Sequence, residues 1–134
     1  MNNSAQNKKD MKFNEMIKSR RLDLGYTLRK FCGTKGYDPS YISRIENGLI
    51  EPPTDQEKLK GLAYALEYKE GTSDWVNFFD AAAAYKYEFP TDIKENFPQV
   101  IEFLPAFYRA IRRKNLNRDD LNALLDTMKT VDVN

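Results

Sequence analysis

Apolar residues recur along this chain at helical spacing, and nowhere do apolar and polar residues alternate over the length of a strand. The first helix is predicted over 12–24, where Phe13, Met16, Ile17 and Leu24 share one face and Arg20 covers its edge. Gly25 follows in the position where a positive φ ends a helix at least cost. Thr27 can cap a short second helix over 28–34 whose inner face is Leu28, Phe31 and Cys32. Gly36 then makes a tight turn. Asp38 as N-cap and Pro39 at the first helical position open a third helix over 39–47, which Asn47-Gly48 stops. Ile42 and Ile45 point inward from it, leaving Ser40, Tyr41, Ser43 and Arg44 outward. After the connector Leu49–Pro53, Thr54 and Glu57 read as a capping box for a fourth helix with the stripe Leu59, Leu62, Ala63 and Leu66. Ser73 is the expected cap of a fifth over 74–85, with Trp75, Phe78, Phe79 and Ala82 on one face.

From Tyr87 to Asp92 the pattern breaks, and the stretch reads as a linker. A helical stripe returns after Pro98 with Val100, Phe103, Leu104, Phe107, Tyr108 and Ile111, but Pro105 lies inside it. A kink or break is therefore expected at 104–105. Asn117 caps a last helix carrying Leu121, Leu124, Leu125 and Met128. The expected organisation is a polar, disordered 1–10, a five-helix domain over 11–86 and a helical segment over 87–134. Two short helices as apolar as the last pair need a cover, either the first five helices or a second subunit.

Composition narrows the function. The 134 residues contain no histidine, which removes the commonest metal ligand and the commonest general acid or base. No nucleophile–base pair is evident, and no carboxylate cluster has metal-ligand spacing, so neither an enzyme nor a cofactor is expected. A single cysteine, Cys32, allows no intramolecular disulfide and fits a reducing cytoplasm. No apolar run approaches membrane-spanning length, and the polar first ten residues do not read as a signal peptide. The net charge is +1, yet residues 1–50 hold 10 Lys and Arg against 5 Asp and Glu, while residues 51–134 hold 11 against 15. A basic first half suits a polyanion.

Residues 1–66 resemble the XRE-type helix-turn-helix repressors, the family of lambda-like phage repressors. The likeness is gap-free from Gly25 to Gly48: the short helix from Thr27, small Cys32 where the family favours Ala, Gly36 in the turn, inward Ile42 and Ile45, and the closing Ile45-Glu46-Asn47-Gly48. Pro52-Pro53-Thr54 and the leucine-rich fourth helix fit as well. The resemblance implies an all-α fold, a five-helix lambda-repressor-like DNA-binding domain followed by a small helical dimerisation or partner segment. The family usually has Gln just after the residue matching Thr27. Here it is Leu28, so that grip on the DNA is either lost or taken by a neighbour such as Arg29. Residues 86–130, and Phe89-Pro90 through Leu104-Pro105-Ala106-Phe107-Tyr108 above all, look like the tails of XRE regulators from phages and mobile elements. Some of those regulators sit beside a toxin or a metallopeptidase gene.

In this motif the N-terminal end of the third helix meets base edges in the major groove, which here means Pro39, Ser40, Tyr41 and Arg44. Arg44 can take guanine O6 and N7 together. Tyr41 can set its ring on a thymine methyl or its hydroxyl on a phosphate. Thr27, Arg29, Lys30, Lys35, Ser43 and Asn47 are the candidates for phosphate, and Lys18, Arg20 and Arg21 could extend that patch. The bland reading of all these residues is a solvated helix face. Glu46 matches a family position that pairs with basic residues of the first helix. Gly33-Thr34-Lys35-Gly36 lacks the spacing of a phosphate-binding loop, Cys32 reads as a core residue, and Arg112-Arg113-Lys114 complements a helix dipole. Two functions follow as expectations. One is a dimeric repressor binding an inverted-repeat operator in double-stranded DNA, its homodimer made by Phe103, Leu104, Phe107, Ile111, Leu121, Leu124, Leu125 and Met128. The alternative is an antitoxin-like adaptor that holds a toxin or metallopeptidase with its C-terminal half.

Overall fold

The computed structural model of the chain describes residues 11–131, and every regular element among them is a helix. These are α1 (Phe13–Asp23), α2 (Leu28–Lys35), α3 (Pro39–Glu46), α4 (Gln56–Ala65), α5 (Ser73–Tyr85), α6 (Thr91–Asn96), α7 (Gln99–Lys114) and α8 (Arg118–Val131). The fold is all-α. The stretch 1–10, expected to be disordered, lies outside the described residues. The chain divides after Pro90 into two units, with α1–α5 in the first and α6–α8 in the second.

The first unit closes over a core supplied by all five of its helices. Phe13, Met16 and Ile17 of α1 meet Phe31 and Cys32 of α2, Ile42 and Ile45 of α3, Leu59 and Leu62 of α4, and Phe78 and Ala82 of α5. Phe78 is the hub of an aromatic group, 5.2 Å between centroids from each of Phe13, Tyr68 and Phe79. Each such side chain taken fully out of water contributes roughly 1.5–3 kcal/mol. Burial pushes the Tyr68 hydroxyl up to about 12, so the phenol stays neutral.

Two helix starts differ by one residue from expectation. Asp55 caps α4 in place of Thr54: its Oδ1 accepts from the amides of Glu57 at 2.8 Å and Lys58 at 3.3 Å. A carboxylate serves the positive end of the helix better than a hydroxyl, so the expected capping box does not form. Thr72 likewise replaces Ser73 at the start of α5. Its hydroxyl donates to the Lys69 carbonyl at 2.6 Å and accepts from the Trp75 amide at 3.2 Å, closing the preceding turn and opening the helix together.

The end of α4 carries local strain. Glu67 has φ 61, a left-handed conformation that glycine adopts more cheaply. Three side chains hold it there. The Arg20 guanidinium donates to the carbonyls of Leu66 at 2.8 Å and Glu67 at 2.7 Å, while the Glu67 carboxylate accepts from Tyr26 Oη at 3.0 Å and Lys35 Nζ at 3.1 Å. Arg20 also lies over the Tyr68 ring, 4.6 Å from its centroid.

In the second unit α6 occupies part of the expected linker; with so few residues it shows no stripe to the eye. α7 is not broken at Pro105. Proline removes one helical donor there, the one that would meet the Ile101 carbonyl, but Ile101 is 45% exposed and water can take that bond. Asn115, φ 52, ends α7 in the left-handed turn. Asn117 and Asp120 cap α8 reciprocally: Asn117 Oδ1 accepts from the Asp120 amide at 2.9 Å, and Asp120 Oδ2 from the Asn117 amide at 3.1 Å. Phe103, Phe107, Ile111, Leu121, Leu124, Leu125 and Met128 are all exposed, Phe103 to 70%, and Leu104 is half-buried.

Candidate nucleic-acid interface

The candidate surface is built from α2, the turn after it and α3. The Thr27 hydroxyl accepts from the Lys30 amide at 3.1 Å and starts α2. Gly36, φ 82, turns the chain, and the amides of Gly36 and Tyr37 both return to the Cys32 carbonyl. Asp38 Oδ1 accepts from the Ser40 amide at 3.2 Å, with Pro39 opening α3. At the far end Gly48, φ 72, lies between Asn14 and Tyr85: Asn14 Nδ2 donates to the Glu46 carbonyl and Tyr85 Oη to the Gly48 carbonyl. A Cβ on Gly48 would stand 3.4 Å from each of those two side chains.

A bidentate ion pair fixes α3 on α1. Arg21 Nε meets Glu46 Oε2 at 2.7 Å, Nη2 meets Oε1 at 2.9 Å, and Nη1 donates to the Tyr26 carbonyl at 2.9 Å. Both side chains are at least nine-tenths buried. The hydrogen bond to Glu46 holds the Arg21 guanidinium in its charged form against the opposing pull of burial. Glu46 thus pairs as the resemblance implied. Arg21 and Arg20, expected as extensions of a phosphate patch, are instead committed inside the fold, Arg21 to Glu46 and Arg20 to the end of α4. Lys18 remains exposed.

On α3, Ile42, Ile45 and Glu46 face the core. Pro39, Ser40, Arg44 and Asn47 are exposed, and Tyr41 and Ser43 are half-buried. The Tyr41 ring stacks on Tyr37 at 6.5 Å between centroids, and Tyr37 stacks on Phe31 at 6.0 Å, so the core props up the ring on the outer face. Burial raises both tyrosine hydroxyls, which stay protonated donors. The sequence pattern did not point to Tyr37; its only signal is an aromatic residue directly before the cap of α3.

The six phosphate candidates fall into three groups. Arg29 and Lys30 are exposed at the start of α2 and make no ion pair among the described residues, and Thr27 lies beside them, also exposed. Ser43 and Asn47 are joined: Asn47 Nδ2 donates to the Ser43 carbonyl at 2.9 Å and to its Oγ at 3.3 Å. Lys35 is held by Glu67 and lies over the Tyr26 ring at 5.6 Å, with its side chain 21% exposed. It would have to leave that pair to reach a phosphate. Burial, then the Glu46 carboxylate, raises the Cys32 thiol, which stays protonated and unreactive.

A family model described as helix-turn-helix matches residues 17–70, from within α1 to just beyond α4. The chain carries a helix-turn-helix domain of the XRE kind. That domain, over residues 17–70, supports a DNA-binding transcriptional regulator. Neither the curated proteins nor the solved structures yield a match. Among the described residues of this helix-turn-helix protein, no helix is long and apolar enough to cross a membrane. In a regulator of this type the cap of α3 governs both stability and the aim of the helix. Asp38→Ala is expected to lower unfolding free energy by about 1 kcal/mol, measured by urea titration, because the Ser40 amide loses its acceptor.

Proposed function

We propose that the protein is a cytoplasmic, dimeric repressor that reads an inverted-repeat operator by placing α3 in the major groove. The observation that carries this reading is the division of α3. One face is locked to the core by Ile42, Ile45 and the Arg21–Glu46 pair, and the other offers Ser40, Tyr41 and Arg44 to solvent. A helix held so firmly, with a guanidinium, a hydroxyl and a propped phenol outward, loses little freedom on entering a groove about 12 Å wide. Arg44 takes guanine, Ser40 and Tyr41 read neighbouring positions beside Pro39, and Thr27, Arg29, Lys30, Ser43 and Asn47 position the domain on phosphates. Lys35 joins them after releasing Glu67.

Footprinting on DNA upstream of the protein's own gene tests this. Two inverted half-sites, spaced near one helical turn or a multiple of it, are expected. Arg44→Ala should cost roughly 1–3 kcal/mol per half-site and relax specificity at one base position, whereas Arg29→Ala should weaken all sequences about equally. An unchanged ratio of specific to non-specific binding in Arg44→Ala would remove Arg44 from base reading.

The open apolar face of α7 and α8 supports the dimer, since Phe103, Leu104, Phe107, Ile111, Leu121, Leu124, Leu125 and Met128 gain most by covering one another. It supports a second reading too, an antitoxin-like adaptor whose tail holds a toxin or metallopeptidase. Sedimentation of the purified chain separates the two, because a monomer would leave the face for such a partner.

A further inference from the structure

Residues 91–134 carry seven Lys and Arg and seven Asp and Glu, yet the charges are not mixed. From Arg109 to Arg118 there are five cations and no acid: Arg109, Arg112, Arg113, Lys114 and Arg118. All five are exposed, and none makes an ion pair among the described residues. On α7, Arg109, Arg112 and Arg113 stand at i, i+3 and i+4 and so share one face. Phe103, Phe107 and Ile111, at i, i+4 and i+8, take the opposite one.

The helix dipole explains part of this run. Arg112, Arg113 and Lys114 lie in the last turn of α7, where cations are favoured. Arg109 is further from that end, and Arg118 opens α8, at the end where the dipole disfavours a cation. Like charges at i and i+4 also repel. A solubilising surface would intersperse both signs. What the run fits is a polyanion, which would relieve the repulsion.

We propose that the arginine face of α7 is a second, sequence-independent contact to DNA phosphates, additional to the helix-turn-helix surface. It rests on the protein's being a DNA binder and on no residue of α3. Arg109 to Arg113 spans roughly 6 Å of helix axis, close to the ~6.8 Å of two phosphate steps along one strand. Guanidinium is the cation best matched to phosphate oxygens. Covalent linkage supplies the rest: once the domain has docked, the tail's own contact is intramolecular, and an affinity too weak to matter alone adds to the whole. Because the apolar stripe faces the other way, dimer pairing and phosphate contact do not compete for one surface. An anionic lipid surface would present similar charge, but the DNA-binding domain in the same chain favours DNA.

The test uses the full chain and a duplex selected with the unaltered protein. Binding is followed by fluorescence anisotropy across a range of NaCl, for R109Q/R112Q/R113Q, for R109K/R112K/R113K, and for K69Q/K94Q/K129Q, which removes as much charge elsewhere. Gln is a good helix former, so α7 should persist, and circular dichroism checks it. The single variant R109Q provides a smaller step of the same kind. The Gln triple is expected to lower the slope of log affinity against log salt by roughly 0.9 for each phosphate it no longer neutralises. Its discrimination between operator and scrambled DNA should stay unchanged, and the Lys triple and the charge control should keep the full slope. A slope in the Gln triple equal to that of the unaltered protein overturns the proposal, as does an equal loss in the charge control. So does an unchanged DNA slope combined with loss of co-sedimentation with phosphatidylglycerol vesicles, which would give the face to a membrane. Absence of salt-dependent DNA binding in the unaltered protein would sink the DNA-binding reading itself, a result distinct from a failure confined to the triple.

Discussion

Glu46→Ala is expected to lower the unfolding free energy by roughly 3–5 kcal/mol, the usual cost of removing one partner of a buried ion pair. The magnitude comes from what is left behind. Arg21 cannot shed its proton at any ordinary pH, so its guanidinium would remain nearly buried with only the Tyr26 carbonyl as partner. Domains of this size are stable by about 5–15 kcal/mol in all, so a substantial share of the margin would go. Urea unfolding followed by circular dichroism measures it. The double variant Arg21→Met with Glu46→Leu should recover most of the loss, since apolar side chains of similar volume can replace a buried pair with little penalty. If Glu46→Ala alone costs under about 1 kcal/mol, the range of a solvent-exposed pair, water reaches the pair and α3 is not anchored by it. The pair joins the last turn of α1 to the last turn of α3, so the aim of α3 should loosen before the fold is lost. DNA affinity should therefore fall more than the unfolded fraction accounts for.

What was readable in the sequence, and what was not, divides by the range of the interaction. Gly25, Thr27, Gly36, Asp38-Pro39 and Asn117 mark their helix ends correctly because each acts within a few residues of itself. The two misplaced starts are also local: Thr54 and Asp55, or Thr72 and Ser73, are adjacent capping residues. Choosing between them needs the whole turn, such as the Lys69 carbonyl that engages Thr72. The inward and outward faces of α3 follow from helical period alone, so Ile42, Ile45, Ser40 and Arg44 lie where the pattern puts them. Cations were harder to read. Arg20, Arg21 and Lys35 look like surface charge in the sequence, but their partners lie 46, 25 and 32 residues away. No periodicity links Lys35 to Glu67 when the carboxylate sits on a left-handed residue that pattern reading would have assigned to glycine. In α7 the rule that proline breaks a helix gave way because only one bond is forfeited, at an exposed turn.

Ending the chain at Pro90 should leave a folded domain that is monomeric and binds its operator roughly 10²–10⁴-fold more weakly than the full chain, the scale set by effective concentration when two readers are joined. Folding should survive because every buried apolar residue of the described structure belongs to α1–α5 or the turns between them. The cut also spares the turn at the end of α5, where the Glu88 amide returns to the Ala83 carbonyl at 2.8 Å. Dimerisation should not survive. The removed segment carries a stripe of Phe, Ile, Leu and Met side chains between 38% and 70% exposed, and covering what is still open gains about half of the roughly 1.5–3 kcal/mol that full burial of each is worth. A second copy offers the same stripe through a two-fold contact, the commonest closed arrangement for identical chains. A single domain reads one half-site through a handful of side chains on α3. Two joined domains make the second half-site an intramolecular event, so breaking the join costs far more affinity than removing any one side chain. Sedimentation velocity of both forms across a range of concentrations, paired with operator binding, checks the two effects together. A truncated protein that still sediments as a tight dimer would place the two-fold contact on α1–α5. A full chain that is already monomeric would leave the apolar face of α7 and α8 to a different protein.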